Sequence, residues 1–371
     1  MRILLVGESS FLHNILKKGL VERGNKVVLM SDGNDWHDSP RDIDLRRNMR
    51  LGKLSGLKVL WNILVNLPKV CGNDIVQLHN YTFVPLMGWW NRMAFWFLKL
   101  TNKRVIKGCF ADDPFLFERQ AAGVPAYSDT YWSNVPQNQE ANRARIAEHT
   151  RPQFVRCWQA VVDHSDAFVA CLYEYWLCYN TPQFSRRLHY IPLPMEIPPS
   201  SAVRVKGNGD TIKVLVGIQP RRDFLKGARK IASFVEQVAL RHPGKIDIKY
   251  VEGVPYDEYL RMLDEADVLV DQFYSYTPSM NSLAAMACGT IVIGGGEEEY
   301  YEFIGENELR PIINVRPDVA DDTNVATIEQ AFFTSGQLAL MSRQSVEFVR
   351  KYHDYRRVAE QYEQLYRSLL A

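Results

Sequence analysis

The chain has 371 residues, 46% of them hydrophobic and 12% aromatic, which is too long for one ordinary core and too apolar for disorder. Two domains of about 150–200 residues each are expected. A formal net charge of +1 gives no basic footprint for nucleic acid, and the six cysteines (71, 109, 157, 171, 178 and 288) form no CxxC pair and no zinc-finger spacing, so they read as reduced, buried thiols of a cytoplasmic protein.

The opening MRILLVGESS reads as a strand and a polar loop, its apolar run being too brief for an export signal. Ile3–Val6 is closed by Gly7, with Ser9 and Ser10 as caps for a helix marked by Phe11, Ile15, Leu16 and Leu20. Gly24 stops that helix and Lys26–Met30 supplies a second strand. Further strands are expected at Ile75–Leu78, Arg104–Lys107, Ala167–Cys171 and His189–Ile191, with helices between most of them. The alternation predicts a doubly wound α/β domain with a parallel sheet.

Leu86–Leu100 is the nearest approach to a membrane span, but Asn91 and Arg92 interrupt it and it falls short of the ~20 apolar residues a span needs. A buried helix packed on the sheet is preferred over an interfacial membrane helix. The first 200 residues carry 24 Lys and Arg against 18 Asp and Glu, the remainder 20 against 25. Arg41, Arg46, Arg47, Arg50, Lys53 and Lys58 hold much of the first excess; they form either a solvated face or a surface for an anionic acceptor or lipid headgroups.

Residues 192–211 are dense in Pro, Ser and Gly and mark the boundary between a first domain, 1–198, and a second, 205–350, with a C-terminal helix at about 352–371 packing back on the first. In the second half the alternation resumes: strands at Lys213–Gly217, Ile246–Val251, Val268–Gln272 and Thr290–Ile293, helices at Ala228–Leu240, Asp257–Asp264 and Asn281–Cys288, and a helical tail from about Leu338 to Leu370. Two such domains joined by a hinge place a cleft at the carboxyl ends of two parallel sheets, where ligands bind.

Gly7-Glu8-Ser9-Ser10 lacks the second and third glycines of the dinucleotide fingerprint, and there is no GxxxxGK[ST]; dehydrogenases and P-loop enzymes are set aside. Gln219–Gly227 runs from a strand into a helix with Arg221, Arg222 and Lys226 on the way. That is either a diphosphate site beside helix amides or a solvated basic loop. In Asp271–Thr290 a polar, aromatic loop precedes a small-residue helix; Ser279 or Asn281 caps it and leaves the amides of Asn281 and Ser282 for phosphate oxygens. The alternative is a tightly packed helix with no ligand. Asp112 and Asp113 either orient an acceptor hydroxyl as catalytic residues or cap a helix started by Pro114. Ser9, Ser10, His13, His79 and Asn80 stand where first-half strands end and are acceptor-side candidates, the histidines being equally suited to structural work.

These residues carry a resemblance. The second half resembles the donor domain of family 4 glycosyltransferases, capsule and cell-surface-polysaccharide members above all. The match covers roughly 213–315. In that family a basic residue and a following Lys-Gly hold the donor diphosphate, matched here by Arg221 and Lys226-Gly227. The family's Glu-Ala-Met-Ala-Cys-Gly-Thr stretch appears as Ala284–Thr290, and a Gly-Gly-x-x-Glu turn as Gly295, Gly296 and Glu299. Two family glutamates, one by the sugar and one on the ribose, are replaced by Tyr276 and Ala284.

The resemblance implies a GT-B architecture: two Rossmann-like doubly wound domains facing across a cleft. It implies sugar transfer from a nucleoside-diphosphate sugar to a saccharide or lipid-linked saccharide hydroxyl, with retention, in surface-polysaccharide or glycolipid synthesis. Arg221 and Lys226 would stabilise the departing diphosphate. With no Asp-x-Asp in the cleft-facing loops, no metal or other cofactor is expected. Arg222, Gly7, Gly253, Tyr276, Ser279, Met280, Asn281, Ser282 and Glu299 complete the donor side, and peripheral membrane contact through the basic first half is expected. The rival readings are a non-catalytic relative that binds nucleotide sugar and a sugar-nucleotide epimerase of the same architecture.

Overall fold

In chain order the first half supplies β1 (Arg2–Val6), β2 (Lys26–Ser31), β3 (Ile43–Asp44), β4 (Ile75–Leu78), β5 (Arg104–Cys109), the hairpin strands β6 (Tyr131–Trp132) and β7 (Val135–Pro136), β8 (Ala167–Ala170) and β9 (Leu188–Tyr190). The second half supplies β10 (Ile212–Ile218), β11 (Ile246–Glu252), β12 (Val268–Val270), β13 (Ile291–Gly294) and β14 (Ile312–Asn314). The first-half helices are α1 (Leu12–Glu22), α2 (Ser55–Val65), α3 (Leu67–Val70), α4 (Gly88–Thr101), α5 (Pro114–Ala121), α6 (Gln139–His149), α7 (Pro152–His164) and α8 (Tyr173–Tyr179). They are followed by α9 (Asp223–Lys226), α10 (Ala228–Arg241), α11 (Tyr256–Glu265), α12 (Met280–Ala287), α13 (Glu298–Ile304), α14 (Asp321–Phe333), α15 (Gln337–Tyr352) and α16 (Tyr355–Leu370). This computed structural model describes residues 1–33, 38–48, 50, 52, 55–132, 135–136, 139–199, 203–218 and 223–371.

The chain divides into two units: 1–122, 139–194 and 355–371 form the first, and 123–138 and 195–354 the second. The first unit holds a seven-stranded parallel sheet in the order β3-β2-β1-β4-β5-β8-β9. Ile3, Leu4, Leu5 and Val6 of its central β1 are wholly buried, the continuous apolar run expected of a parallel strand covered on both faces. The C-terminal α16 packs on α1, where Arg23 Nε donates to Glu363 Oε2 at 2.5 Å.

The second unit holds a five-stranded parallel sheet, β11-β10-β12-β13-β14, around a core that includes Val214, Val216, Val268, Val270, Ile291 and Ile293. The helical tail expected as one run is two helices, broken where the carbonyl of His353 accepts a hydrogen bond from Met195 N at 2.7 Å. The segment 123–138 comes from within the first half of the sequence but belongs with the second unit. Tyr127 anchors it there, stacked on Tyr276 with ring centroids 4.5 Å apart and donating its hydroxyl to the buried carboxylate of Glu297.

The apolar segment before residue 100 departs from expectation. Asn91, Phe95 and Leu98 of α4 are buried against the sheet, whereas Trp89, Met93 and Leu100 are exposed. A helix on a sheet can bury only one stripe, and here both stripes are apolar. No helix among the described residues is long and apolar enough to cross a membrane.

Candidate functional site

In the second sheet the chain runs from β10 to β11 on one side and returns to β12 on the other, so β10 and β12 flank the topological switch point where α/β ligands bind. Lys226 closes α9 after β10, and Asp271 follows β12. Lys226 Nζ stands 3.1 Å from Asp271 Oδ1, and the backbone amide of Phe273 donates to the Lys226 carbonyl at 2.7 Å, fastening one loop to the other. Gly227, next in the chain, has φ +66°, and a Cβ there would stand 2.9 Å from Phe273 Cβ and from the Tyr274 ring. Only glycine fits that turn, which gives the Lys-Gly pair a physical reason.

Asp271 organises the head of α12. Its Oδ2 accepts from Ser279 Oγ at 2.5 Å and from Ser282 Oγ, and its Oδ1 accepts from Asn281 Nδ2 at 3.4 Å. Burial alone would raise the Asp271 pKa; the Lys226 charge and the serine hydroxyls outweigh it and hold the carboxyl below its usual value. Ser279 is the N-cap, its Oγ accepting from Ser282 N at 3.3 Å. The expectation that the Ser282 amide is left for phosphate is therefore corrected: the cap takes it. Among the described residues the amides of Met280 and Asn281 have no such partner, as first-turn N–H groups commonly do not.

Lys226, Ser279, Asn281 and Ser282 are thus brought together, with Met280 at the same helix end. Arg221 and Arg222 lie outside the described residues. Gly253 follows β11, exposed and with φ +66°. Tyr276 is buried in its stack with Tyr127 and Glu299 is exposed on α13. Ala284 lies within α12 and offers no carboxylate. The carboxylate beside Tyr276 is instead Glu297, raised in pKa by burial and placed 3.6 Å from Arg316.

The first sheet has its own switch point, between β1 and β4. A concavity of about 350 Å³ opens there, lined by Gly7, Glu8, Asp32, His79, Glu148 and His149 among others. Glu8 caps α1, a task expected of Ser9 or Ser10: its carboxylate accepts from the amides of Ser9, His13 and Asn14 and from Asn14 Nδ2. This fold-back accompanies two consecutive left-handed residues, Ser10 at φ +51° and Phe11 at φ +65°. Burial pushes the Glu8 pKa from 4.5 to about 7 against the pull of those donors. His79 lines the concavity and shares a 2.7 Å hydrogen bond with Ser9 Oγ; burial lowers its pKa to about 3, so its ring is neutral. Gly7 has φ +84°, and a Cβ there would stand 2.7 Å from His79 Cβ.

Other acceptor-side expectations change. His13 is wholly buried, 2.7 Å from the Gly7 carbonyl, and supports the loop from behind. Asn80 is buried, donating to the Asp112 carbonyl at 2.7 Å. Ser10 is exposed. Asp113 is wholly buried: it caps α5 through Leu116 N at 2.8 Å, pairs with Lys107 Nζ at 3.0 Å and accepts the Tyr179 hydroxyl at 2.5 Å. The structure gives it the capping role, and its burial leaves no face for an acceptor. Asp112 accepts a bidentate pair from the Arg145 guanidinium, at 2.6 and 2.8 Å. Sequence reasoning assigned no role to Asp271, Glu8, Lys107 or Glu297; the signal for Asp271 was its place, ending an apolar strand next to the Lys-Gly loop.

No family model and no curated protein matches the sequence. Solved structures are similar along their full length. Sucrose-phosphate synthase from Thermosynechococcus elongatus aligns with TM-score 0.60 and 14% identity over 100% of this chain and 99% of that one. WaaG, a glycosyltransferase involved in lipopolysaccharide biosynthesis, gives TM-score 0.57 and 10% identity over 98% and 99%. Anabaena HepE, solved in complex with UDP-glucose, gives TM-score 0.55 and 9% identity over 99% of each chain. At such identities the likeness is one of architecture, and that architecture, two parallel-sheet α/β units of seven and five strands, is the GT-B fold.

Proposed function

We propose that the chain is a glycosyltransferase of the family 4 type. It would move a sugar from a nucleoside-diphosphate sugar to a hydroxyl of a saccharide or lipid-linked saccharide in surface-polysaccharide or glycolipid synthesis, with retention and without a metal. One observation carries this reading: the Lys226 ammonium stands at the amino end of α12, fixed by Asp271 yet 17% exposed along its side chain. As the bond from the anomeric carbon to the diphosphate breaks and the acceptor oxygen bonds to that carbon, negative charge grows on the leaving group, whose freed oxygen takes up the proton of the acceptor hydroxyl. Lys226 and the amides of Met280 and Asn281 would neutralise that charge, a preorganised electrostatic term. HepE, solved with UDP-glucose, supports a donor of this class. The carboxyls of Asp32 and Glu148 suit an acceptor rich in hydroxyls.

Ala284 removes the carboxylate that would grip the ribose, which costs about 1.5–3 kcal/mol of donor binding, one to two decades. A second reading, a nucleotide-sugar binder without turnover, is favoured by Tyr276 and Ala284 alone. A thermal-shift screen against UDP, GDP, ADP and CDP tests the shared premise, since a ligand of the folded state stabilises by RT ln(1 + [L]/Kd). One nucleotide is expected to raise the unfolding temperature, and no response to any of the four sinks both readings. Release of free nucleoside diphosphate from the matching nucleotide sugar, dependent on added acceptor, separates the transferase from the binder.

A further inference from the structure

The right-handed crossover rule places α2 and α4 on one face of the seven-stranded sheet, because both connections run in the same direction across it. Val59 of α2 and Phe95 and Leu98 of α4 enter the same core. The head of α2 meets the segment that leads into α4: a Cβ on Gly56 would stand 3.4 Å from Leu86 Cδ2. The outward stripes are apolar as well. On α2, Leu57, Trp61, Leu64 and Val65 are exposed, Trp61 by 64%. On α4, Trp89, Met93, Trp96, Phe97 and Leu100 are exposed, Leu100 by 82%. Apolar patches of this extent on a protein surface mark an interaction site.

The charge around the patch names the partner. Arg46, Arg47, Arg50 and Lys58 are exposed beside it. At the head of α2, Arg46, Arg47, Arg50 and Lys58 surround a concavity of about 430 Å³. Arg46 is paired with Asp38 at 2.9 Å and Asp44 at 3.4 Å, and Arg47 Nε donates to Ser55 Oγ at 3.0 Å. Among the described residues no carboxylate pairs with Arg47, Arg50 or Lys58. Tryptophans and aliphatic side chains on two helices of one sheet face, with arginine and lysine beside them, match the interface of a bilayer with an anionic leaflet.

We propose that the outer faces of α2 and α4 dock on an anionic lipid surface, Trp61, Trp96 and Leu100 entering the headgroup–acyl boundary while Arg47, Arg50 and Lys58 meet the phosphates. The inference stands independently of glycosyl transfer. Cosedimentation of the full chain with vesicles tests it. Equimolar phosphatidylcholine and phosphatidylglycerol should bind the protein, phosphatidylcholine alone should bind it more weakly, and added salt should reduce the difference. Each basic residue near an anionic leaflet is worth about fivefold in partitioning, so Arg47→Gln with Arg50→Gln and Lys58→Gln should weaken binding about a hundredfold. Trp61→Ser with Trp96→Ser and Leu100→Ser should abolish binding and the blue shift of tryptophan emission on vesicles. Leu240→Ser, at an exposed leucine of the second unit, should leave binding unchanged. Failure of the parent chain to bind, or binding that neither triple variant alters, overturns the proposal. So does a dimer in sedimentation equilibrium that the apolar triple variant dissolves while vesicles stay unbound, since a second copy would then cover the face.

Discussion

Two lysine–aspartate pairs stand at similar places in the two units, each at the carboxyl end of a parallel strand and beside the amino end of a helix, and they differ in access. The side chains of Lys107 and Asp113 are 0% and 1% exposed; those of Lys226 and Asp271 are 17% and 2% exposed. In the first unit one carboxylate both caps α5 and neutralises the lysine, which draws the ammonium in against the Tyr179 ring, 4.7 Å from its centroid. In the second unit the work is divided: Ser279 caps α12 and Asp271 holds the lysine. The division leaves Lys226 at the edge of the helix end, in reach of an anion. The same two residue types therefore make a structural bond in one unit and a candidate site in the other.

The largest effect expected is on the sealed pair. Lys107→Met leaves a buried carboxylate without its cation and should cost about 3–5 kcal/mol of stability, read by chemical denaturation. Lys226→Met, with solvent at hand to rehydrate Asp271, should cost clearly less. Equal losses from the two variants would erase the distinction between them.

Glu8 sharpens the contrast by pH. Its pKa is raised from 4.5 to about 7. Between those values the folded protein holds a proton that the unfolded chain has released, so the contribution of Glu8 to stability is full below pH 4.5 and falls until the pH passes about 7. The full drop corresponds to about 3 kcal/mol. Glu8→Gln should remove that part of the pH dependence, at some constant loss because its amide NH₂ would face backbone N–H donors. A wild-type profile parallel to that of the variant would show that Glu8 ionises normally.

The next effect is on ligand affinity. Lys226→Ala should weaken binding of the stabilising nucleoside diphosphate by about 10- to 100-fold, the worth of a charged hydrogen bond of roughly 1.5–3 kcal/mol. Titration calorimetry measures it. Lys107→Met, in conditions where it remains folded, should bind as the parent does. Loss of affinity in both variants, or in neither, would remove the functional half of the comparison.

How much of this was legible depends on how local each feature is. Ile3–Val6 and Val268–Val270 announce buried parallel strands because an unbroken apolar run has no exposed face to write polar residues on. Asp113-Pro114 carries the signature of a helix start, but choosing the cap over an acceptor-facing role required Lys107, and nothing in a sequence marks a lysine as buried. At the first turn Ser9 and Ser10 were the expected caps by residue preference, and Glu8 took the place only because the backbone folds back through Ser10 and Phe11. The bond between Tyr127 and Glu297 joins residues 170 positions apart and has no local trace, so the segment 123–138 read as part of the first half. In α4 the pattern was visible while its meaning was not: an apolar helix reads as buried until the sheet is seen to occupy one side only.

The smallest expected effect isolates the division of labour itself. Ser279 caps α12 through Ser282 N and donates to Asp271, so Ser279→Ala removes a cap and one of the donors that keep the carboxyl ionised. Loss of a cap of this kind typically costs about 1 kcal/mol. If Asp271 is the true anchor of Lys226, the ammonium stays in place through its own 3.1 Å contact and nucleotide affinity should fall by less than in Lys226→Ala. If affinity instead falls as far as in Lys226→Ala, the helix end and its cap, rather than the lysine, dominate the anion's binding, and the contrast with the sealed pair would rest on the amides of Met280 and Asn281.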